Sequence, residues 1–174
     1  MSNRQAFIQQ RLLDSGQATY GFFEGLSEDE YRTQVYLGGD KWTVHHILAH
    51  FVSAERKFVE VLTNWLNGGS AGMREFDIEA FNVREVRELS QLDRATLLNQ
   101  FSDQREKLAE IAMQVTDAQM EEEGEHPWLG PMSMERFLKF IYRHTQIHEK
   151  DIRGALAIGG PISDEQALSP RRPE

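Results

Sequence analysis

The chain has 174 residues, 40% of them hydrophobic and 27% charged, which suits one domain with a buried core. It contains no cysteine, so disulfides, thiolate metal sites and a cysteine nucleophile are all excluded. A formal net charge of −9, without a local basic patch, argues against a nucleic-acid partner.

The N-terminal part of the sequence predicts a first helix and a short second one. Residues 1–16 lack the apolar core and cleavage site of a signal peptide, and no apolar run approaches a membrane span. We therefore expect a cytoplasmic protein with no membrane partner. Apolar residues recur with partial helical spacing from Gln5 to Phe23, and Gly25 can end that helix. Ser27 and Glu30 have the spacing of a capping box, which indicates a short turn of helix.

The next helix has the clearest apolar stripe, from Val44 to Trp65. Asp40 or Thr43 can cap its start, and the glycines at 68–69 end it. Residues 70–92 are mixed in character. We expect them to form a longer crossing connection rather than another long helix.

Two further helices complete the prediction. One runs from about Asp93 to near Thr116, and the last opens near Ser133 and stops before Gly159. Residues 126–131 are expected to form a loop because of their proline and glycine content. The four long amphipathic segments predict an all-α protein, an antiparallel four-helix bundle with its longer crossing connection between the second and third long helices. We assign residues 1–160 to the bundle and 161–174 to a polar C-terminal tail.

Histidines on two predicted helices suggest a metal site. His144 and His148 are four residues apart, so their side chains project from one face of the last helix. Taken alone, this pair is more simply explained as buried, hydrogen-bonded histidines, or as histidines at a solvent-exposed edge of the helix bundle. His50 flanks the apolar row of another helix and supplies a third inward imidazole. Three neutral imidazoles with an open position suit a divalent ion, Zn, Ni, Fe or Co.

Other polar residues are weaker candidates for the site. His46 lies one turn before His50, where a surface or supporting position is expected rather than ligation. Asp151 can accept the second imidazole proton of His148, although a surface salt bridge with Arg153 or Lys150 is the slightly simpler explanation. Asp77 and Asn82 can line the site or merely cap a helix.

The order of these motifs resembles the DinB-like (YfiT-like) family of metalloenzymes. The matching elements are Trp42-Thr43-Val44 leading into Leu48-Ala49-His50, the stretch 77–82, His144-x-x-x-His148, and Asp151-Ile152. The resemblance implies a four-helix bundle, often dimeric, with a metal held by one histidine of the second helix and two of the last. Those places fall on His50, His144 and His148.

The resemblance also implies a range of functions. Some relatives transfer low-molecular-weight thiols such as mycothiol or bacillithiol, others are small-molecule isomerases, and many have no known activity. We expect a metal-dependent enzyme acting on a small molecule, with thiol transfer to an electrophile as the leading reaction and hydrolysis still open. The alternatives are a noncatalytic metal-binding or stress-related protein and a structural dimer with an empty site. A homodimer is expected, with Trp65, Phe76 and Trp128 as candidate contact residues.

Overall fold

The computed structural model describes residues 3–69, 76–126 and 130–169. Its elements are α1 (Asn3–Glu24), α2 (Glu28–Arg32), α3 (Val44–Leu66), α4 (Ile78–Leu89), α5 (Arg94–Gln114), α6 (Asp117–Met120), β1 (Glu123–His126), β2 (Gly130–Ser133) and α7 (Met134–Ile158). The prediction of a mostly helical protein is confirmed. In the described part of the chain, no helix has both the length and the hydropathy needed to cross a membrane.

The long helices α1, α3, α5 and α7 pack against one another and carry the core. α1 contacts α5 and α7, and α3 contacts α4, α5 and α7. α3 buries the stripe predicted from its spacing and α7 buries one face along its length. The histidine-bearing faces of α3 and α7 are therefore brought towards each other inside the protein.

Local side-chain bonds define the helix ends where the sequence places them. Thr43, and not Asp40, caps α3, because the Thr43 hydroxyl accepts from the backbone of His46 and the His46 ring bonds back to Thr43. Asp93 caps α5 and Ser133 caps α7 through a side-chain oxygen that accepts from the backbone amide three residues later. These caps satisfy amides of the first helical turn that otherwise have no partner.

Gly159 ends α7 in a left-handed conformation with φ of +70°. Its amide and that of Gly160 bond back to the last carbonyls of the helix. A side chain at Gly159 would be strained, so we expect Gly159→Ala to lower the free energy of unfolding by about 1 kcal/mol. Gly160→Ala is the control, because Gly160 has open space around its Cα and no positive φ. Urea unfolding followed by circular dichroism measures the free energy of unfolding of both variants. Equal values for Gly159→Ala and Gly160→Ala would contradict the expectation.

Two segments differ from the sequence-based expectation. The crossing connection carries the 12-residue helix α4, which packs on α3 but buries only Val86 and Leu89. That apolar face is too narrow to produce a clear helical period. Residues 126–131 were expected to be loop, but His126 pairs with Gly130, and Pro131 pairs with Glu125, in an antiparallel hairpin. Its strands contain glycine and proline and show no alternation of apolar and polar residues, so the sequence does not predict them. Trp128 lies outside the described residues.

The segment before α3 and the segment after α7 are joined at one end of the helices. Val35 accepts a backbone bond from Ile162 at 2.9 Å, and the Leu37 amide donates to the Ile162 carbonyl at 3.0 Å. These bonds make a parallel bridge between Tyr36 and Ile162, whose side chains are both buried. Tyr36 is thereby held over the last turns of α7.

A buried polar layer separates two apolar clusters. One cluster includes Ile8, Leu62, Leu108 and Ile141, and the other includes Phe23, Ile47, Phe101 and Ile152. Along each long helix the buried polar residues fall largely between members of the two clusters. They are Thr19 on α1, His50, Ser53 and Glu55 on α3, Arg105 on α5, and Thr145, His148 and Asp151 on α7.

Candidate metal centre

Three histidine side chains converge in the polar layer. His50 comes from α3, and His144 and His148 come from successive turns of α7. One potential ligand nitrogen from each lies within 4.8 Å of the other two. The Nε2 atoms of His50 and His144 are 3.1 Å apart. The structure therefore brings together the three residues predicted from the sequence.

The spacing of these nitrogens fits a small divalent ion. Zinc–nitrogen bonds of about 2.0–2.1 Å in a tetrahedral site place neighbouring ligand atoms about 3.3 Å apart. The His50–His144 separation of 3.1 Å is already close to that value. Small side-chain rotations would bring the remaining pairs, which lie within 4.8 Å, to the same distance. The three residues can hold a metal without rearrangement of the helices.

His50 is kept in the form that a metal requires. Its ring is buried, and burial together with the neighbouring His148 lowers the pKa of His50 well below its usual range. A neutral imidazole has a lone pair available for an ion. The Nδ1 atom of His50 is buried and has no hydrogen-bond partner among the described residues.

Aromatic rings pack around the histidines. The Trp42 ring lies 5.0 Å from the His50 ring, and the Phe51, Phe58 and Phe140 rings lie 5.6–5.9 Å from His144. His50 and His148 are buried, and the Nδ1 atom of the partly exposed His144 is buried as well. Such a wall excludes water from most of the site and strengthens electrostatic effects within it.

A comparison with known protein families agrees with this arrangement. A family model described as the DinB superfamily matches residues 11–152, most of the chain and all three histidines. The chain belongs to the DinB superfamily. No curated protein gives a significant match. Family membership and the buried histidines together indicate a helical protein that can bind a divalent metal.

In this DinB-superfamily chain, Asp151 is not at the surface and makes no salt bridge with any described residue. Its carboxylate is buried and accepts the Tyr36 hydroxyl at 3.1 Å and the amides of Leu168 and Ser169 at 2.8 and 3.0 Å. The same Tyr36 oxygen lies 2.7 Å from His148 Nδ1. Asp151 therefore reaches His148 through Tyr36 and not directly.

The other weak candidates have roles outside the ligand set of the DinB-superfamily site. His46 joins the capping box of α3. Asp77 is exposed and caps α4, accepting from the Ala80 amide at 3.0 Å. Asn82 lies in the second turn of α4 and is partly buried.

The sequence does not predict two buried polar interactions of this DinB-superfamily chain. Tyr36 lies in a short non-helical segment, so no periodicity connects it with His148. Glu55 and Arg105 form a fully buried bidentate ion pair between α3 and α5, with the Arg105 Nε–Glu55 Oε2 distance at 3.0 Å. Each looks like an ordinary surface charge in the sequence, although Glu55 falls between the buried residues Ala54 and Phe58 of the α3 stripe.

Proposed function

We propose that this protein is a metal-dependent enzyme that acts on a small molecule and transfers a low-molecular-weight thiol to an electrophilic substrate. The observation that carries the proposal is the convergence of His50, His144 and His148 inside the protein, where each offers one potential ligand nitrogen within 4.8 Å of the other two. Zn, Ni and Fe are the expected ions, because each accepts imidazole ligands. Three protein ligands leave a position for substrate.

The composition supports a thiol substrate. With no cysteine in the chain, the sulfur of such a reaction must come from the substrate. A bound divalent ion would stabilise the thiolate. In the transfer, the sulfur forms a bond to an electrophilic carbon, the bond to the leaving group breaks, and the thiol proton passes to solvent or to that group. The aromatic wall around His144 suits an acceptor with apolar surface.

Several further features are proposed together with this function. We take α1, α3, α5 and α7 as an antiparallel four-helix bundle, which is supported by their mutual contacts. We also propose that the protein is cytoplasmic and forms a homodimer. Sedimentation of the purified protein tests the dimer, and a monomer at micromolar concentration would contradict it. Trp65, one of the three aromatic candidates for its contact, is buried in the core with only 6% of its surface exposed.

The proposal predicts metal-dependent conjugation. Protein loaded with Zn²⁺, Ni²⁺ or Fe²⁺ is incubated with low-molecular-weight thiols, including mycothiol and bacillithiol, and with an electrophilic haloarene. We expect a thioether product that forms with the metal-loaded protein and not with chelator-treated protein. Mass spectrometry identifies the product and quantifies its rate of formation.

Two controls separate the outcomes. The His144→Ala/His148→Ala double variant, with two ligands removed, should give no conjugate under the same conditions. One ion per chain without turnover of any thiol would contradict the enzyme and favour a noncatalytic metal-binding protein. No ion after reconstitution would contradict both.

A further inference from the structure

Three polar groups from separate parts of the chain form a continuous row beside the candidate ligands. The Tyr36 hydroxyl lies 2.7 Å from His148 Nδ1 and 3.1 Å from Asp151 Oδ2. All three residues are buried. The 2.7 Å contact is a short hydrogen bond and the 3.1 Å contact is a longer one, so the hydroxyl connects the imidazole with the carboxylate.

The chemistry of the row determines where its protons lie. An Asp151 carboxylate can only accept, and its oxygens already receive the amides of Leu168 and Ser169. The Tyr36 hydroxyl has a single proton. If that proton went to His148, the tyrosine and carboxylate oxygens would face each other without hydrogen between them. The proton therefore goes to Asp151, and His148 Nδ1 must donate to Tyr36.

We propose that Tyr36, oriented by Asp151, is a positioning residue that holds His148 in the Nδ1–H tautomer and leaves His148 Nε2 as its ligand atom. The inference deepens the metal site of the proposed function. A ligating histidine commonly donates its other ring proton to a carboxylate or carbonyl, which fixes the ring and raises its basicity. Here a phenol relays that interaction from the carboxylate.

The surrounding backbone holds both members of the relay in place. Val35 and Leu37, on either side of Tyr36, bond to Ile162, and Asp151 is bonded by the Leu168 and Ser169 amides. The segment after α7 therefore supports the tyrosine through its neighbours and the carboxylate directly. This double attachment limits rotation of the hydroxyl away from His148.

The first test observes the tautomer in metal-free wild-type protein. Long-range proton–nitrogen NMR spectra of the histidine rings distinguish a protonated Nδ1 from a protonated Nε2. We expect His148 to have its proton on Nδ1, and to become a mixture of tautomers in Tyr36→Phe. A wild-type His148 protonated on Nε2 would overturn the proposal. This measurement does not depend on whether the protein binds metal or turns over a substrate.

The second test measures the affinity for Zn²⁺ and Co²⁺. Tyr36→Phe should bind each ion about 10–100-fold more weakly than wild type, as is usual when a partner of a ligating residue is lost. Tyr31→Phe is the matched control: Tyr31 is also buried, but its hydroxyl has no hydrogen-bond partner among the described residues. Competition titrations give the affinities, and circular dichroism verifies that both variants are folded.

The outcomes of the two tests can be separated. Unchanged metal affinity in folded Tyr36→Phe would overturn the positioning role, as would an equal loss in Tyr31→Phe. If wild-type protein binds neither ion, the proposed metal-dependent function fails, and the NMR spectra of His148 still decide whether Tyr36 fixes its tautomer.

Discussion

Replacement of His50 by alanine is expected to abolish stoichiometric metal binding. The affinity should fall by more than about 100-fold, which exceeds the loss usual when a hydrogen-bond partner of a metal ligand is removed. Among the described residues, His50 is the only member of the histidine cluster on α3, so its removal leaves two nitrogens on a single helix. Two imidazoles one turn apart cannot surround an ion without a third donor from elsewhere. Metal analysis after dialysis, together with calorimetric titration, measures the effect.

His45→Ala is the control for this experiment. His45 lies on the same first turns of α3, but its Nε2 lies 2.8 Å from the carbonyl oxygen of Ser90, outside the histidine cluster. We expect it to retain about one ion per chain with wild-type affinity. An ion held as tightly by His50→Ala as by wild type would show that the site lies elsewhere.

Replacement of Arg105 by methionine is expected to reduce the free energy of unfolding by about 3–5 kcal/mol. Arg105 is buried and makes a bidentate pair with the buried Glu55. It also donates to the Ser15 hydroxyl at 2.7 Å. The variant leaves a carboxylate without its counter-ion in the apolar interior. Chemical unfolding measures the loss, and the exposed Arg56, changed to alanine, is the control.

The pH dependence identifies the cause of that loss. Burial raises the pKa of Glu55 and Arg105 opposes the rise, so the pKa should climb further in Arg105→Met. A carboxyl group whose folded pKa exceeds its unfolded value, about 4.5, favours folding at low pH and loses that contribution as pH rises through the folded pKa. The deficit relative to wild type should therefore be smaller at about pH 5 than at about pH 8.

A second substitution tests the same explanation. Adding Glu55→Leu to Arg105→Met removes the unpaired charge and should restore much of the lost stability, because a buried ion pair can often be replaced by apolar residues. A double variant as unstable as the single one would indicate that the loss comes from packing around Arg105.

The fold was predictable where local chemistry determines it. Caps such as Ser133 and the left-handed Gly159 act on neighbouring backbone groups, so the sequence indicates where α7 begins and ends, whereas it leaves Asp40 and Thr43 as alternative caps of α3. α4 was missed because it is stabilised by packing on α3 through a narrow face, of which Val86 and Leu89 are the buried members. The sequence does not predict the hairpin, because neither strand alternates apolar and polar residues. The strands form because β1 and β2 pair with each other.

At the candidate site, too, the sequence predicts local relations between residues but not contacts between distant ones. His144 and His148 could be predicted as a pair because helical geometry relates residues four apart. His50 was found by its position on a second apolar stripe. Tyr36 contacts His148 across 112 residues of sequence, and Arg105 meets Glu55 across 50, so no local period reports either contact.

The local character of the α7 pair affects how an ion would alter folding. His144 and His148 need only one helical turn to meet, whereas His50 joins them across 94 residues. A partly folded chain with a nascent α7 can therefore hold an ion weakly before the helices assemble. Ion binding to such non-native states subtracts from the stabilisation that mass action gives the native state. The rise in melting temperature with added metal should fall short of the value calculated from native affinity alone.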